Sequence, residues 1–190
     1  VDFPGTGRGL QTSRMREAGE LLLAVDDNDV ITAERVLARH AQFAAAAAYS
    51  AEQCNLLLTD EALLALFVVQ EQSQGTQYAQ TLPDNQPSGV WMTAEDRDLL
   101  PRTYGNCATA AHQYAIDQYQ ACVVALEAVG SSAPTKESFL AAFAHVRART
   151  VEVNDEQGDD IEDPSLLVHH GNRRRRALLP AFDLLNHRAG

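Results

Sequence analysis

Residues 178–187 read Leu-Leu-Pro-Ala-Phe-Asp-Leu-Leu-Asn-His, three residues before the last one, Gly190. An apolar run carries Asp183 and then the pair Asn186-His187. The Asn amide both donates and accepts hydrogen bonds, and the His ring does likewise. A polar pair behind apolar residues reads either as a structural knot or as the floor of a ligand pocket. Just upstream, residues 166–168 and 177–180 read as two strands. Between them lie His169-His170-Gly171-Asn172 and the run Arg173-Arg174-Arg175-Arg176. The arginines are expected in a hairpin loop facing the acidic stretch 155–163, although such a run also suits a nuclear-localisation signal. The two histidines have no Cys, Asp or His at zinc-ligand spacing, so no metal site is expected.

The opposite end of the chain is also β-like. Gly5-Thr6-Gly7-Arg8-Gly9 reads as a flexible turn, because glycine accepts positive φ at little cost. Residues 10–13 and 21–25 read as short strands around a turn at Glu17-Ala18-Gly19-Glu20. Asp26-Asp27-Asn28-Asp29 lacks the Gly and Glu of a calcium loop and reads as a solvated turn. Between the two ends, residues 32–146 read as mostly helical. Residues 32–49 are Ala-rich. Ser50 and Gln53 fit a capping box that starts another helix through Leu63, Leu66 and Phe67. Gly75 and Pro83 punctuate the block, and Thr93 with Asp96 opens a further helix. The cleanest 3.6-residue period runs over 108–129, with Ala111, Tyr114, Ala115, Tyr119, Cys122, Ala125, Leu126 and Val129 on one face. Residues 130–134 form a linker, and Thr135 caps a helix with Phe139, Ala142, Phe143 and Val146 on one side. Residues 151–153 read as a strand.

The chain is long enough for one domain, or one domain with an insertion, and its 45% apolar content supports a core. Its formal charge of −11 argues against general nucleic-acid binding, which needs a cationic face, and favours a basic partner. Cys54, Cys107 and Cys122 are odd in number and widely spaced, so they read as buried reduced thiols of an intracellular protein, cytoplasmic, nuclear or organellar. No apolar run approaches the roughly 18 residues of a membrane span. Val1 is not a start methionine and no signal peptide is visible, so the chain is expected to be part of a longer polypeptide.

An order of β, long helical block, then β narrows the search. The chain resembles the SET-domain protein methyltransferases, in the branch related to the Rubisco large-subunit lysine methyltransferase. Three ordered segments carry the resemblance. The first is Gly7-Arg8-Gly9-Leu10 followed by Gly19-Glu20-Leu21-Leu22. The second runs over residues 64–71, Gln77-Tyr78, Leu82-Pro83, Trp91 and Leu99. The third runs from Phe139 to Arg149 and resumes as Pro-x-x-Asp-x-x-Asn-His over 180–187. The resemblance implies an α+β chain, a SET-type β fold of short strands interrupted by a large helical insertion. Residues 1–30 and 146–190 would form its two parts, and 31–145 the insertion.

The same resemblance implies S-adenosyl-L-methionine as cofactor and methyl transfer to a lysine of a protein substrate. It assigns cofactor binding to Thr6, Gly7, Arg8, Gly9, Arg149, Asn186 and His187, with Arg147 as the alternative to Arg149. Asp183 matches an acidic residue near the substrate pocket, a structural hydrogen bond being the other reading. The family's catalytic tyrosine follows the Asn-His pair and is expected beyond Gly190. The chemistry asks for aligned nitrogen, methyl and sulfur and a desolvated, neutral amine, with no metal. Two alternatives stand beside this activity: a non-catalytic SET-like protein-binding module, and a methyltransferase acting on protein histidine. The expected partner is a lysine-bearing protein, with neither membrane nor nucleic acid, and the sequence leaves the oligomeric state open.

Overall fold

The structure, a computed structural model, describes residues 2–3, 7–8, 12–54, 57–83, 88–154 and 174–181. Helices dominate: α1 (Ala33–Arg39), α2 (Ala41–Gln53), α3 (Asp60–Gln74), α4 (Gln77–Thr81), α5 (Ala94–Asp98), α6 (Arg102–Ala128) and α7 (Lys136–Arg149). Strands β1 (Asp2–Phe3) and β2 (Gly7–Arg8) pair antiparallel. Strands β3 (Ile31–Thr32), β4 (Thr150–Asn154) and β5 (Arg174–Leu178) form a second antiparallel sheet in the order β3-β5-β4. The expected mixture of helix and sheet is therefore present.

The helix boundaries follow local chemistry. Thr59, Thr76, Thr93 and Thr135 each accept a backbone N–H of the first turn, satisfying one orphan donor apiece. Thr93 opens a helix as the sequence predicts, and with Asp96 it closes a full capping box. Gly75 ends α3 in the left-handed region at φ 63°, where a side chain would be strained.

The core lies between α3, α6 and α7. From Glu61 to Val68 every residue of α3 is buried, the mark of a helix covered on all sides. Phe139 and Phe143 of α7 are fully buried with stacked rings 5.7 Å apart. Tyr119 packs on Phe139 at 5.6 Å, and Tyr114 meets Phe143 edge-on at 5.8 Å. Burying each such phenyl ring contributes about 3 kcal/mol. Ala115, Cys122, Ala125 and Leu126 of α6 complete this core, on the face their period predicts.

Several expectations are corrected. Residues 21–25 are not a strand: no described strand pairs with them, and Leu21 is 74% exposed. The turn before them is real. Gly19 has φ 88°, and Glu20 ties it by meeting Arg16 at 2.6 Å and Arg14 at 3.0 Å. Residues 12–13 are likewise irregular, while 10–11 lie outside the described residues. The solvated turn at 26–29 is a short 3₁₀ helix capped by Asp26.

Ser50 does not start a helix. It is buried inside α2, which ends at Gln53, and the next helix starts at Asp60 behind Thr59. The Ala-rich stretch breaks at His40 into α1 and α2. Two of the three thiols, Cys54 and Cys107, are exposed, and Cys122 alone is buried. Residues 166–168 lie outside the described residues.

Candidate functional site

The sheet β3-β5-β4 gathers distant parts of the chain. Leu178 of β5 pairs with Ile31 on one side and with Thr150 on the other. Ile31 lies just before the helical block and Thr150 just after it, so one strand holds both of its ends. Strand β5 then leads through Leu179 and Pro180 to Ala181, the last described residue before the segment bearing Asp183, Asn186 and His187. Those three, with Thr6 and Gly9, lie outside the described residues.

Of the residues assigned to the cofactor, Gly7 and Arg8 sit on strand β2, paired with Phe3 and Asp2. They are therefore part of a ladder, not of the turn the sequence predicts. Arg149 is the last residue of α7 and is half-buried. Thr150, the cap of that helix, opens β4, so Arg149 stands where the C-terminal end of a helix dipole favours a cation. The pairing of Thr150 with Leu178 brings the backbone at Arg149 next to the start of the 178–187 segment.

One helical turn before Arg149 lies His145, only 2% exposed, whose Nδ1 has no hydrogen-bond partner. Burial first and the Arg149 charge second push its pKa down to about 4. The ring is therefore neutral at physiological pH. Arg147, the alternative match, instead lies over the Tyr114 ring, its guanidinium carbon 6.0 Å from the centroid.

A polar cluster that sequence reading missed joins the helical block to the sheet. Glu61 of α3 is buried, and its Oε1 accepts from Arg176 of β5 at 2.6 Å. Thr59 donates from its hydroxyl to Gln118 of α6 at 2.8 Å. Tyr114 of α6 has its pKa raised, above all by burial. On the other side of β5, Arg175 stands 3.3 Å from Glu34 of α1. Arg174, Arg175 and Arg176 thus belong to a strand, not to the expected loop, and the last two pair with the helical block. The signal was available as two acidic residues at helix starts, Glu34 and Glu61, opposite a basic run.

A cleft of about 430 Å³ opens elsewhere, floored by Phe43, Leu66, Val69 and Leu126 and edged by Gln42 and Gln70. None of the residues assigned to cofactor or substrate lines it. No group of His, Cys, Asp and Glu among the described residues is arranged to hold a metal ion. No helix among them is long and apolar enough to cross a membrane. No protein-family model matches the chain, and no curated protein matches it.

Proposed function

We propose that this chain is the cofactor-binding part of a SET-type protein methyltransferase that moves a methyl group from S-adenosyl-L-methionine to a lysine of a protein substrate. The observation that carries the reading is the convergence on β5. The strand that runs into the Pro-x-x-Asp-x-x-Asn-His segment pairs with the residues bounding the helical block, and one of these adjoins Arg149. A helical insertion within a β framework requires its two ends to meet in this way.

The residues present suit the methionine end of the cofactor. Arg149 is a half-buried cation, and one turn away the buried His145 Nδ1 offers an unfilled polar position. When bound, S-adenosylmethionine supplies a methyl group activated by a sulfonium. Arg149 would pair with its carboxylate, a contact for which a guanidinium is well shaped. Gly7, without a Cβ, would allow close approach of the backbone. Asn186 and His187 would hold the remaining polar groups, and Asp183 would face the substrate channel. Exclusion of water from that channel favours the neutral lysine amine, which is the nucleophile.

Ultraviolet crosslinking with methyl-labelled S-adenosylmethionine, followed by peptide mapping, tests the assignment. Label is expected in peptides containing Gly7, Arg149 or Asn186-His187. Label confined to the cleft of Phe43 and Leu66, or absent altogether, would contradict it.

A further inference from the structure

The cleft of about 430 Å³ lies in the helical block, where two helices part. Helix α2 packs mainly on α6, and α3 mainly on α7, so the groove between α2 and α3 is left unfilled. Phe43 of α2, Leu66 and Val69 of α3 and Leu126 near the end of α6 floor it, and the linker 131–134 lines it as well. That linker is fixed at both ends. Gly130 turns the chain at φ 72°. The Ser131 N–H donates to the Leu126 carbonyl at 2.9 Å, and the Gly130 N–H to that of Glu127 at 3.0 Å. These are the two bonds of a Schellman motif. At the far end Thr135 caps α7. A wall formed in advance spares a ligand the entropy of ordering a loop.

Two features of the lining select a ligand. The first is the absence of charge. No Asp, Glu, Lys, Arg or His lines the cleft, although 22% of the chain is charged. An ionic group entering it would lose water and meet no counter-charge. The second is a pair of amides at the edge. Gln42 Nε2 donates to Gln70 Oε1 at 3.3 Å, beyond the usual N–H···O distance of about 2.9–3.0 Å. So long a bond is readily exchanged for another. The pair leaves the Gln42 oxygen as acceptor and the Gln70 amino group as donor. A carboxamide presents the matching donor and acceptor on one edge. The size agrees, since sites for small molecules span roughly 300–1,000 Å³ and are mostly apolar with a few placed polar groups.

We propose that the cleft is a binding site for a small uncharged molecule that carries a carboxamide on an apolar ring. The ring lies on Phe43, Leu66 and Leu126, and the carboxamide replaces the contact between Gln42 and Gln70. The site is separate from the proposed cofactor pocket and independent of the methyltransferase reading.

The test uses three probes of one shape and different charge: benzamide, benzoate and benzamidinium. Each is titrated into the whole chain, labelled with nitrogen-15, and followed by two-dimensional NMR. Benzamide is expected to saturate and to shift the side-chain amide signals of Gln42 and Gln70 and the backbone signals of Ser131 and Ser132. It is expected to bind roughly tenfold more tightly than either ion. Gln70→Leu is expected to weaken benzamide roughly tenfold. Val69→Trp, which fills the cleft from a half-buried position, is expected to abolish its binding. Thermal melts check that both variants fold; should Val69→Trp fail to, Gln70→Leu carries the comparison alone. No binding of benzamide, equal binding of the three probes, or unchanged binding by Gln70→Leu would overturn the proposal. So would the same shifts on raising the protein concentration alone, which would mean that a second copy of the chain covers the cleft.

Discussion

At the scale of single residues, His145 makes the sharpest physical statement. Its folded pKa lies near 4, against 6.5 for a free imidazole, because burial and then Arg149 disfavour the cation. Between those values the unfolded chain binds a proton that the folded chain refuses. Stability from this group is therefore complete above about pH 6.5 and is lost as the pH falls towards 4. The loss amounts to roughly 3 kcal/mol between the two plateaus. Urea melts of wild type and His145→Leu over this window check the point. The leucine variant is expected to lack that component of the pH slope; an unchanged slope would show that the imidazole titrates normally.

At the scale of elements, the close approach of α5 to α6 is set by Gly105. A Cβ added there would stand 2.8 Å from the carbonyl oxygen of Arg97, a backbone atom that cannot swing aside. Alanine ordinarily strengthens a helix by about 1 kcal/mol over glycine. The clash is expected to reverse this, giving Gly105→Ala a net loss of about 1–2 kcal/mol in chemical denaturation. A gain in stability would show that the two helices are not packed this tightly.

The same scale shows why some elements were legible and others were not. Thr93 with Asp96, Thr135 and Gly75 act locally, through hydrogen bonds or a positive φ within one turn, so their spacing alone identifies them. Ser50 has similar spacing to Gln53, yet α2 already runs through it and covers it. Residues 21–25 have strand-like composition but find no partner strand among the described residues. Arg174, Arg175 and Arg176 look like loop residues because the carboxylates that pair with two of them lie more than a hundred residues upstream. Strand identity there depends on long-range pairing, which no local pattern encodes.

At the scale of the whole molecule, the helical block returns to its starting point. Ile31 and Thr150 pair with one residue, Leu178, so the block is closed by the sheet. The long helical block and the strand after it at 151–153 were readable from periodicity, whereas the strands expected at 12–13 and 21–25 were misplaced. The closure was not readable, since it is a fact of pairing between segments far apart in sequence. Three ordered motifs nominate the candidate site, and of its residues only Gly7, Arg8 and Arg149 lie among the described ones. The described residues add the junction of Arg149 with β4 and the two ion pairs that hold β5.

The central claim is that these parts assemble a pocket for S-adenosyl-L-methionine. Isothermal titration of the cofactor into wild type and Asn186→Ala tests it most directly. The account predicts saturable binding by the wild type at one cofactor per chain and a marked loss of affinity in the alanine variant. No binding by the wild type would contradict the methyltransferase reading, and equal binding by both would remove Asn186 from the site.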